Sequence, residues 1–163
     1  MTFKETIDKL FDRDNLANVL ENERAKGKTI VFTNGCFDLL HPGHVHLLKT
    51  SRSFGDLLVV AINTDSSIRG IKDTGRPIFS EVERAYMLSS LSCVDHIVLF
   101  NESTPIPLLT LLRPDVLVKG DHYGSKEVVG WDLVEGYGGR IERIPILKGL
   151  STTSMIERIM KTT

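Results

Sequence analysis

The chain has few of the features that mark secreted, membrane-bound or nucleic-acid-binding proteins. Its 163 residues include two cysteines, Cys36 and Cys93, which are too few for a disulfide framework. No apolar run approaches the roughly 20 residues of a membrane-spanning helix, and the N-terminus lacks the apolar stretch of a signal peptide. The net charge of −1 provides no electrostatic footprint for DNA or RNA. These absences predict a cytoplasmic protein with neither a membrane nor a nucleic acid as its partner.

Two common nucleotide-binding signatures are also missing. No Gly-x-Gly-x-x-Gly follows the first predicted strand, and the sequence contains no Walker A loop. The hydrophobic content of 41% and the charged content of 25% are typical of a globular domain. We therefore expect residues 1–163 to form a single domain, with residues 1–27 as an N-terminal helical extension.

Apolar segments alternate with amphipathic segments along the chain, which predicts a parallel sheet with helices on both faces. The pattern predicts five strands, at residues 29–33, 57–62, 94–99, 115–118 and 140–146. Helices are predicted at residues 13–26, 41–54, 80–91 and 104–113, within 125–136, and from Ser151 onward. The expected fold is a Rossmann-like doubly wound α/β domain, whose ligands bind at the carboxyl ends of the strands.

Two segments of the predicted fold are less regular. Residues 64–79 contain three helix-disfavouring residues and little periodicity, which predicts a mobile loop. The last helix is expected to be capped by Ser151 and to direct Met155, Ile156 and Ile159 inward.

The most informative segment joins the first predicted strand to the helix after it. Its sequence runs from Thr33 through Asn34-Gly35-Cys36-Phe37-Asp38 to His41-Pro42-Gly43-His44. Pro42 suits the first turn of a helix, so His41 and His44 are expected on one face of a helix N-terminus. Free amides and the helix dipole favour an anion there. His46 is two residues beyond His44 and is expected to point elsewhere. The segment predicts a phosphate-binding site.

Further charged and hydroxyl-bearing residues lie at the same predicted rim. Lys148-Gly149-Leu150-Ser151-Thr152 combines cationic, hydroxyl and amide donors for a phosphate, although Ser151 alone is also an ordinary helix cap. Lys72 and Arg76 belong to the predicted loop and could contact a phosphate. Arg84 is a weaker candidate, because its position suits an exposed charge on a helix equally well. Three carboxylates at the rim could hold Mg²⁺, orient hydroxyl groups or accept amide hydrogen bonds: Asp38, Asp65 and Asp121.

The histidine segment resembles the His-x-Gly-His signature of the nucleotidylyltransferase superfamily, in its cytidylyltransferase-like branch. Four segments are similar to the adenylyltransferases of bacterial ADP-heptose synthesis: residues 32–38, 60–65, 75–78 and 114–120. The resemblance runs from about residue 12 to the C-terminus.

Two motifs of this family are present with departures. Residues 149–153 are similar to the family's Gly-x-Ser-Thr motif, which binds nucleotide phosphates. Ile146-Leu147-Lys148 stands where the cytidylyltransferases have Arg-Thr-Glu, which argues against CTP. Lys119-Gly120-Asp121-His122-Tyr123 resembles Val-Lys-Gly-Gly-Asp-Tyr, with either Asp121 or His122 in the role of the aspartate.

The resemblance implies transfer of AMP from ATP to D-glycero-β-D-manno-heptose 1-phosphate, with Mg²⁺ bound mainly through the ATP phosphates and not by side chains. The implied catalytic residues are His41, His44 and Lys72. The implied nucleotide-binding residues are the two histidines with Thr33, Asn34, Gly35, Phe37, Asp38, Lys148, Gly149, Ser151 and Thr152. The residues implied to bind the acceptor are Asn63, Asp65, Arg76, Lys119, Asp121 and Tyr123.

The resemblance also implies a heptose kinase earlier in the pathway, expected as a separate protein, and a homodimer. Other functions remain open. A CTP-dependent glycerol-3-phosphate or ethanolamine-phosphate cytidylyltransferase and an FAD synthetase-like adenylyltransferase belong to the same reaction class. A catalytically silent nucleotide-sensing module belongs to a different class, against which the paired histidines and Lys72 argue.

Overall fold

The computed structural model describes residues 6–72, 75–121 and 128–162. In this part of the chain one sheet of parallel strands has the order β1-β4-β3-β2-β5-β6. The strands are β1 (Leu10–Phe11), β2 (Ile30–Gly35), β3 (Leu57–Asn63), β4 (His96–Phe100), β5 (Val116–Gly120) and β6 (Arg140–Ile144). The helices are α1 (Arg13–Ala25), α2 (Pro42–Arg52), α3 (Asp65–Ile71), α4 (Glu81–Ser89), α5 (Ile106–Leu112), α6 (Trp131–Gly136) and α7 (Thr152–Lys161).

Helices cover both faces of the sheet, which confirms the predicted doubly wound architecture. The apolar strand β3 is fully buried from Leu58 to Ile62, as expected of a central strand in a parallel sheet. Leu48 of α2 and Leu88 of α4 pack in the core on one face. Leu20 of α1 and Leu109 of α5 pack in the core on the other face.

The sheet has one strand more than the five predicted. The additional strand β1 pairs in parallel with β4, with Leu10 opposite Ile97 and Phe11 opposite Val98. It has only two residues, which is too short to produce a recognisable alternation of apolar and polar side chains.

The prediction of a loop over residues 64–79 is wrong for α3. Thr64 caps this helix, because its hydroxyl accepts a hydrogen bond from the Ser67 amide at 3.2 Å. Ile68 is fully buried and anchors the helix on the sheet. The helix has only seven residues and contains Gly70 near its end, and because glycine disfavours helices the sequence did not predict one here.

The inward packing predicted for the last helix is also wrong. Ser151 caps α7 as expected and accepts a hydrogen bond from the Ser154 amide at 3.0 Å. However, α7 buries none of its residues: Met155 and Ile156 are half-buried, and Ile159 is 56% exposed. Apolar spacing gives the direction of a helix face, but it does not show whether the sheet extends far enough to cover that face.

Candidate active site

A cavity of about 630 Å³ opens at the carboxyl edge of the sheet, where the connections that follow the strands meet. Most of the predicted site residues line it: Asn34, Gly35, Phe37, Asp38, His41, His44, Asn63, Lys72, Arg76, Lys119, Ser151 and Thr152. The fold therefore brings together residues that are more than a hundred positions apart in the sequence.

The remaining predicted site residues lie elsewhere. Thr33 is buried, and its hydroxyl donates to the Val118 carbonyl at 3.1 Å. An adjacent cavity of about 430 Å³ is lined by Lys148, Gly149 and Asp121, together with Ser151. Tyr123 and His122 lie outside the described residues.

The two histidines of the signature form a stacked pair at the start of α2. Their ring centroids are 3.7 Å apart, and the Nδ1 atoms of both are buried without a hydrogen-bond partner among the residues described. Burial lowers the pKa of His41, and burial together with His41 lowers the pKa of His44 to about 4. Both rings are therefore neutral near pH 7, and each offers one N–H donor and one acceptor nitrogen.

Close packing and an unusual backbone conformation restrict substitution of the residues around this pair. A Cβ atom on Gly43 would lie 2.9 Å from the His41 ring, so any other side chain there would displace the imidazole. Phe37 has a φ of 48°, in the left-handed region that non-glycine residues seldom adopt. Its ring centroid lies 5.1 Å from that of His44. The backbone before α2 is thus held in a strained conformation beside the histidines.

Asp38 holds the segment that follows α3 against the connection between β2 and α2, which carries the two histidines. Its buried carboxylate accepts hydrogen bonds from Arg76 Nε at 2.6 Å and from the amides of Ile78 and Phe79 at 2.9 Å. Burial alone would raise the pKa of Asp38, but the hydrogen bonds from Phe79, Ile78 and Arg76 bring it below its ordinary value. The carboxylate is therefore ionised and fully occupied by the protein.

Arg84 is the most important residue whose position the sequence left open. It lies on α4 with its side chain fully buried, at the junction of four chain segments. Its guanidinium donates to the carbonyls of Phe79 at 3.1 Å, Cys36 at 2.6 Å and Asn63 at 2.8 Å, and to Asp65 Oδ1 at 2.8 Å. Asp65 is therefore an ion-pair partner of Arg84 and is not among the described residues that line the cavity. Arg84 precedes the buried Leu88 by four residues, and this spacing on the apolar face of α4 was the available signal.

Lys119 presents a positive charge at the end of β5. Its ammonium group donates to the side-chain oxygen of Asn34 and, at 3.4 Å, to the Asn34 carbonyl. Burial lowers the pKa of Lys119 to about 8. No carboxylate in the described ranges forms an ion pair with this lysine. A cation with only neutral partners at the cavity wall favours an anionic ligand.

Several residues that were not assigned to the site from the sequence also line the cavity, among them His46, Ser103 and Thr104. His46 contributes to its wall, although it is not stacked on the His41–His44 pair. Ser103 and Thr104 reach the cavity from the segment that follows β4. Strand β4 ends at the predicted rim of the sheet, and this was the only indication that the residues after it lie near the site.

Two of the carboxylates predicted at the rim are already committed to ion pairs. Among the described residues no group of three His, Cys, Asp or Glu side chains is arranged to hold a metal. The carboxylates of Asp38 and Asp65 are occupied by Arg76 and Arg84.

The described part of the chain also contains no helix long and apolar enough to cross a bilayer.

Comparison with known proteins agrees with this geometry. The sequence profile of the cytidylyltransferase-like family matches residues 32–158. The bifunctional protein HldE of Syntrophotalea carbinolica is 57% identical over 148 residues, which is 91% of this chain and 30% of that protein. The protein of the same name from Trichlorobacter lovleyi is 48% identical over 158 residues, 97% of this chain and 32% of the relative. The chain thus spans about a third of the length of these curated relatives.

Two solved structures are similar in fold. The lipopolysaccharide core biosynthesis protein from Thermoplasma volcanium GSS1 is 31% identical, with a TM-score of 0.62 over 75% of this chain and 98% of its own. The pantoate-β-alanine ligase from Francisella tularensis is 17% identical, with a TM-score of 0.57 over 93% of this chain and 78% of its own. The second similarity shows the fold alone.

Proposed function

The chain belongs to the cytidylyltransferase-like family of nucleotidyltransferases, and from this premise we propose that it transfers AMP from ATP to D-glycero-β-D-manno-heptose 1-phosphate, giving ADP-heptose and pyrophosphate. The observation that carries the proposal is the stacked, neutral His41–His44 pair, whose cavity is also lined by Lys72 and by the hydroxyl-bearing start of α7. The heptose acceptor is supported by the motifs shared with the heptose adenylyltransferases and by the similarity to the HldE proteins.

In this reaction an oxygen of the sugar 1-phosphate attacks the α-phosphorus of ATP. The bond from that phosphorus to the pyrophosphate oxygen breaks, and pyrophosphate leaves with the electron pair. The attacking oxygen is already ionised, so the reaction needs neither a general base nor a covalent intermediate. The protein has to align the two phosphates and neutralise the charge that develops on their oxygens.

The described residues supply donors suited to this task. His41 and His44 each offer a neutral N–H to phosphate oxygens, and the start of α2 adds the positive end of its helix dipole. Lys72, at the end of α3, brings a positive charge to the same cavity. Mg²⁺ bound to the ATP phosphates would add further neutralisation of their charge.

A matrix of two nucleotides and two acceptors tests the proposal. Pyrophosphate release is measured with ATP or CTP, each with heptose 1-phosphate or glycerol 3-phosphate. We expect rapid release with ATP and heptose 1-phosphate, and up to about 10⁴-fold less with the smaller acceptor, which leaves hydrogen-bonding groups unpaired. A preference for CTP and glycerol 3-phosphate would refute the heptose assignment but retain nucleotidyl transfer. No release with any pair would favour a nucleotide-sensing module.

Three further points belong to the proposal. We propose that residues 1–163 act as one nucleotidyltransferase domain that forms a homodimer, which sedimentation equilibrium would test. A heptose kinase would supply the sugar 1-phosphate. ATP and this phosphorylated sugar are the expected partners, and the cytoplasm is the expected compartment because ATP is available there.

A further inference from the structure

The cavity has two sides, separated by the connection between β2 and α2. Strand β2 lies between β3 and β5 in the sheet, so the histidine pair lies near the middle of the rim. On the β5 and β6 side, the cavity is lined by the start of α7, including Ser151 and Thr152. Ser151 and Thr152 are assigned to the ATP phosphates, which leaves the side formed after β3 and β4, where the predicted acceptor residues Asn63 and Arg76 line the cavity, for the sugar of the acceptor.

The segment after β4, residues 101–105, is held firmly in place on this acceptor side. Arg13, at the start of α1, donates to both carboxylate oxygens of Glu102, at 2.7 and 3.2 Å. The side-chain oxygen of Asn101 accepts hydrogen bonds from the hydroxyls of Thr64, at 2.5 Å, and Ser66, at 2.6 Å. The segment is thus anchored to α1 and to the start of α3.

Between these anchors and α5, two hydroxyl groups remain uncommitted. Ser103 and Thr104 line the cavity, and neither hydroxyl forms a hydrogen bond with a residue in the described ranges. Phe100 and Pro105, on either side of them, also line the cavity and give it an apolar surface. A firmly held segment therefore presents two hydroxyls beside apolar groups.

This combination suits a neutral, polyhydroxylated part of a ligand. A hydroxyl both donates and accepts, and so it can pair with a sugar hydroxyl in either direction. The charge of Glu102 is matched by Arg13, so the segment does not favour a charged group. The amide of Asn63, nearby on the wall, already contacts Ser67 at 3.0 Å and Cys36 at 3.8 Å, which leaves the hydroxyls of residues 103 and 104 as the less committed polar groups.

We propose that Ser103 and Thr104 determine acceptor specificity by hydrogen bonding to hydroxyl groups of the sugar. Arg13 is a positioning residue in this arrangement, because it holds the segment through Glu102. The inference rests on the proposed function, since it requires a sugar phosphate as acceptor. It adds the end of β4 and the start of α1 to the parts of the chain that select the substrate.

Substitution of the two hydroxyl-bearing residues tests the inference. Ser103→Ala, Thr104→Val and the double variant are assayed by pyrophosphate release at saturating ATP with varied heptose 1-phosphate. We expect kcat/KM for the acceptor to fall about 10-fold in each single variant, with KM for ATP unchanged. Thr110→Val is the matched control, because the Thr110 hydroxyl bonds within α5 to the Ile106 carbonyl at 2.9 Å. Unchanged kcat/KM for the acceptor in the double variant would overturn the inference.

Two further measurements separate a specific role from a structural one. The wild-type protein should prefer heptose 1-phosphate to mannose 1-phosphate, which lacks one hydroxyl-bearing carbon, and the double variant should lose most of that preference. Arg13→Gln should raise KM for the acceptor while leaving KM for ATP unchanged, and Arg13→Lys should restore part of the loss. An equal loss for ATP and acceptor would show a general structural effect and overturn the inference. A wild-type protein inactive with every sugar 1-phosphate would instead refute the proposed function, and the inference with it.

Discussion

On one side of the cavity the fully buried Arg84 donates hydrogen bonds to four residues in three chain segments, whereas on the other side α7 buries none of its residues. The first side includes Asp38, whose carboxylate is held by Arg76 and by two backbone amides. The second side provides hydroxyl groups on a helix whose Ile159 and Met160 are largely exposed.

This difference separates the parts of the site that the fold fixes from those that a ligand must organise. Groups that are already aligned contribute more to a transition state, because no free energy is used to order them during the reaction. Segments with little buried apolar surface open with a smaller free-energy cost. We therefore expect substitutions near Arg84 to act on both stability and catalysis, and substitutions on α7 to act mainly on nucleotide affinity.

The largest effect is expected for Arg84→Met. It would leave the partly buried Asp65 carboxylate and three carbonyl oxygens without their donor, and the loss of the fully buried partner of an ion pair costs about 3–5 kcal/mol. Urea unfolding measures this loss, and Arg69→Met is the control because Arg69 is exposed on α3. Arg84→Lys should retain part of the stability. If Arg84→Met unfolded at the same urea concentration as the wild type, the proposed rigidity of this side would be wrong.

The next largest effect concerns the histidine pair. His41→Ala and His44→Ala should each lower kcat about 10²- to 10³-fold, the scale of removing one transition-state donor. Their free energies of unfolding near pH 7 should change far less than that of Arg84→Met, because the two rings line the cavity and hold no other segment. Turnover close to wild type in either variant would show that the ring in question does not contact the reacting phosphates.

A third prediction uses the pH dependence of stability. The pKa of His44 is about 4 in the folded protein, against an ordinary value of 6.5. Between these values the unfolded chain binds more protons, so the His44 contribution to stability is complete above pH 6.5 and is lost as the pH falls toward 4. The slope reaches at most about 1.4 kcal/mol per pH unit.

Wild-type protein and His44→Gln should be compared by urea unfolding from pH 7 to pH 4. The difference between the two isolates His44, because His41 and His96, whose pKa values are also lowered by burial, are present in both. We expect the stability advantage of the wild type to shrink across this range. A constant difference would mean that His44 titrates normally in the folded protein.

Much of the fold and the centre of the site could be predicted because the signals are local. The continuous apolar run at β3 predicts a central strand. The segment from Asn34 to His44 contains its own strand end, proline and glycine, and all of its predicted site residues line the cavity. Such features depend on neighbours within one turn or one strand.

The features that could not be predicted depend on distant partners. The role of Arg84 requires contacts from residues 36, 63, 65 and 79, and no spacing in the sequence shows that these segments meet. The exposure of α7 depends on where the sheet ends in space. Ser103 and Thr104 become candidates only when Arg13 and Thr64 are seen to fix the segment that carries them.

The smallest effect is expected on α7. Thr152→Val and Thr153→Val remove hydroxyls that line the cavity at the start of this helix, while Ser151 retains the cap. Because α7 buries none of its residues, each variant should change the free energy of unfolding by less than about 0.5 kcal/mol. We expect KM for ATP to rise by about 10-fold, since a hydrogen bond to a charged group contributes about 1.5 kcal/mol at the low end of its usual range.

Thr162→Val is the matched control at the other end of α7, where the hydroxyl bonds to the Ile159 carbonyl at 2.8 Å and to the Arg158 carbonyl at 3.1 Å. Its KM for ATP should equal that of the wild type. If Thr152→Val instead lowered kcat as strongly as His41→Ala, the two sides of the cavity would be equally preorganised, and α7 would have to be fixed in place before ATP binds. A change confined to KM for ATP would show that the ligand itself completes this side of the site.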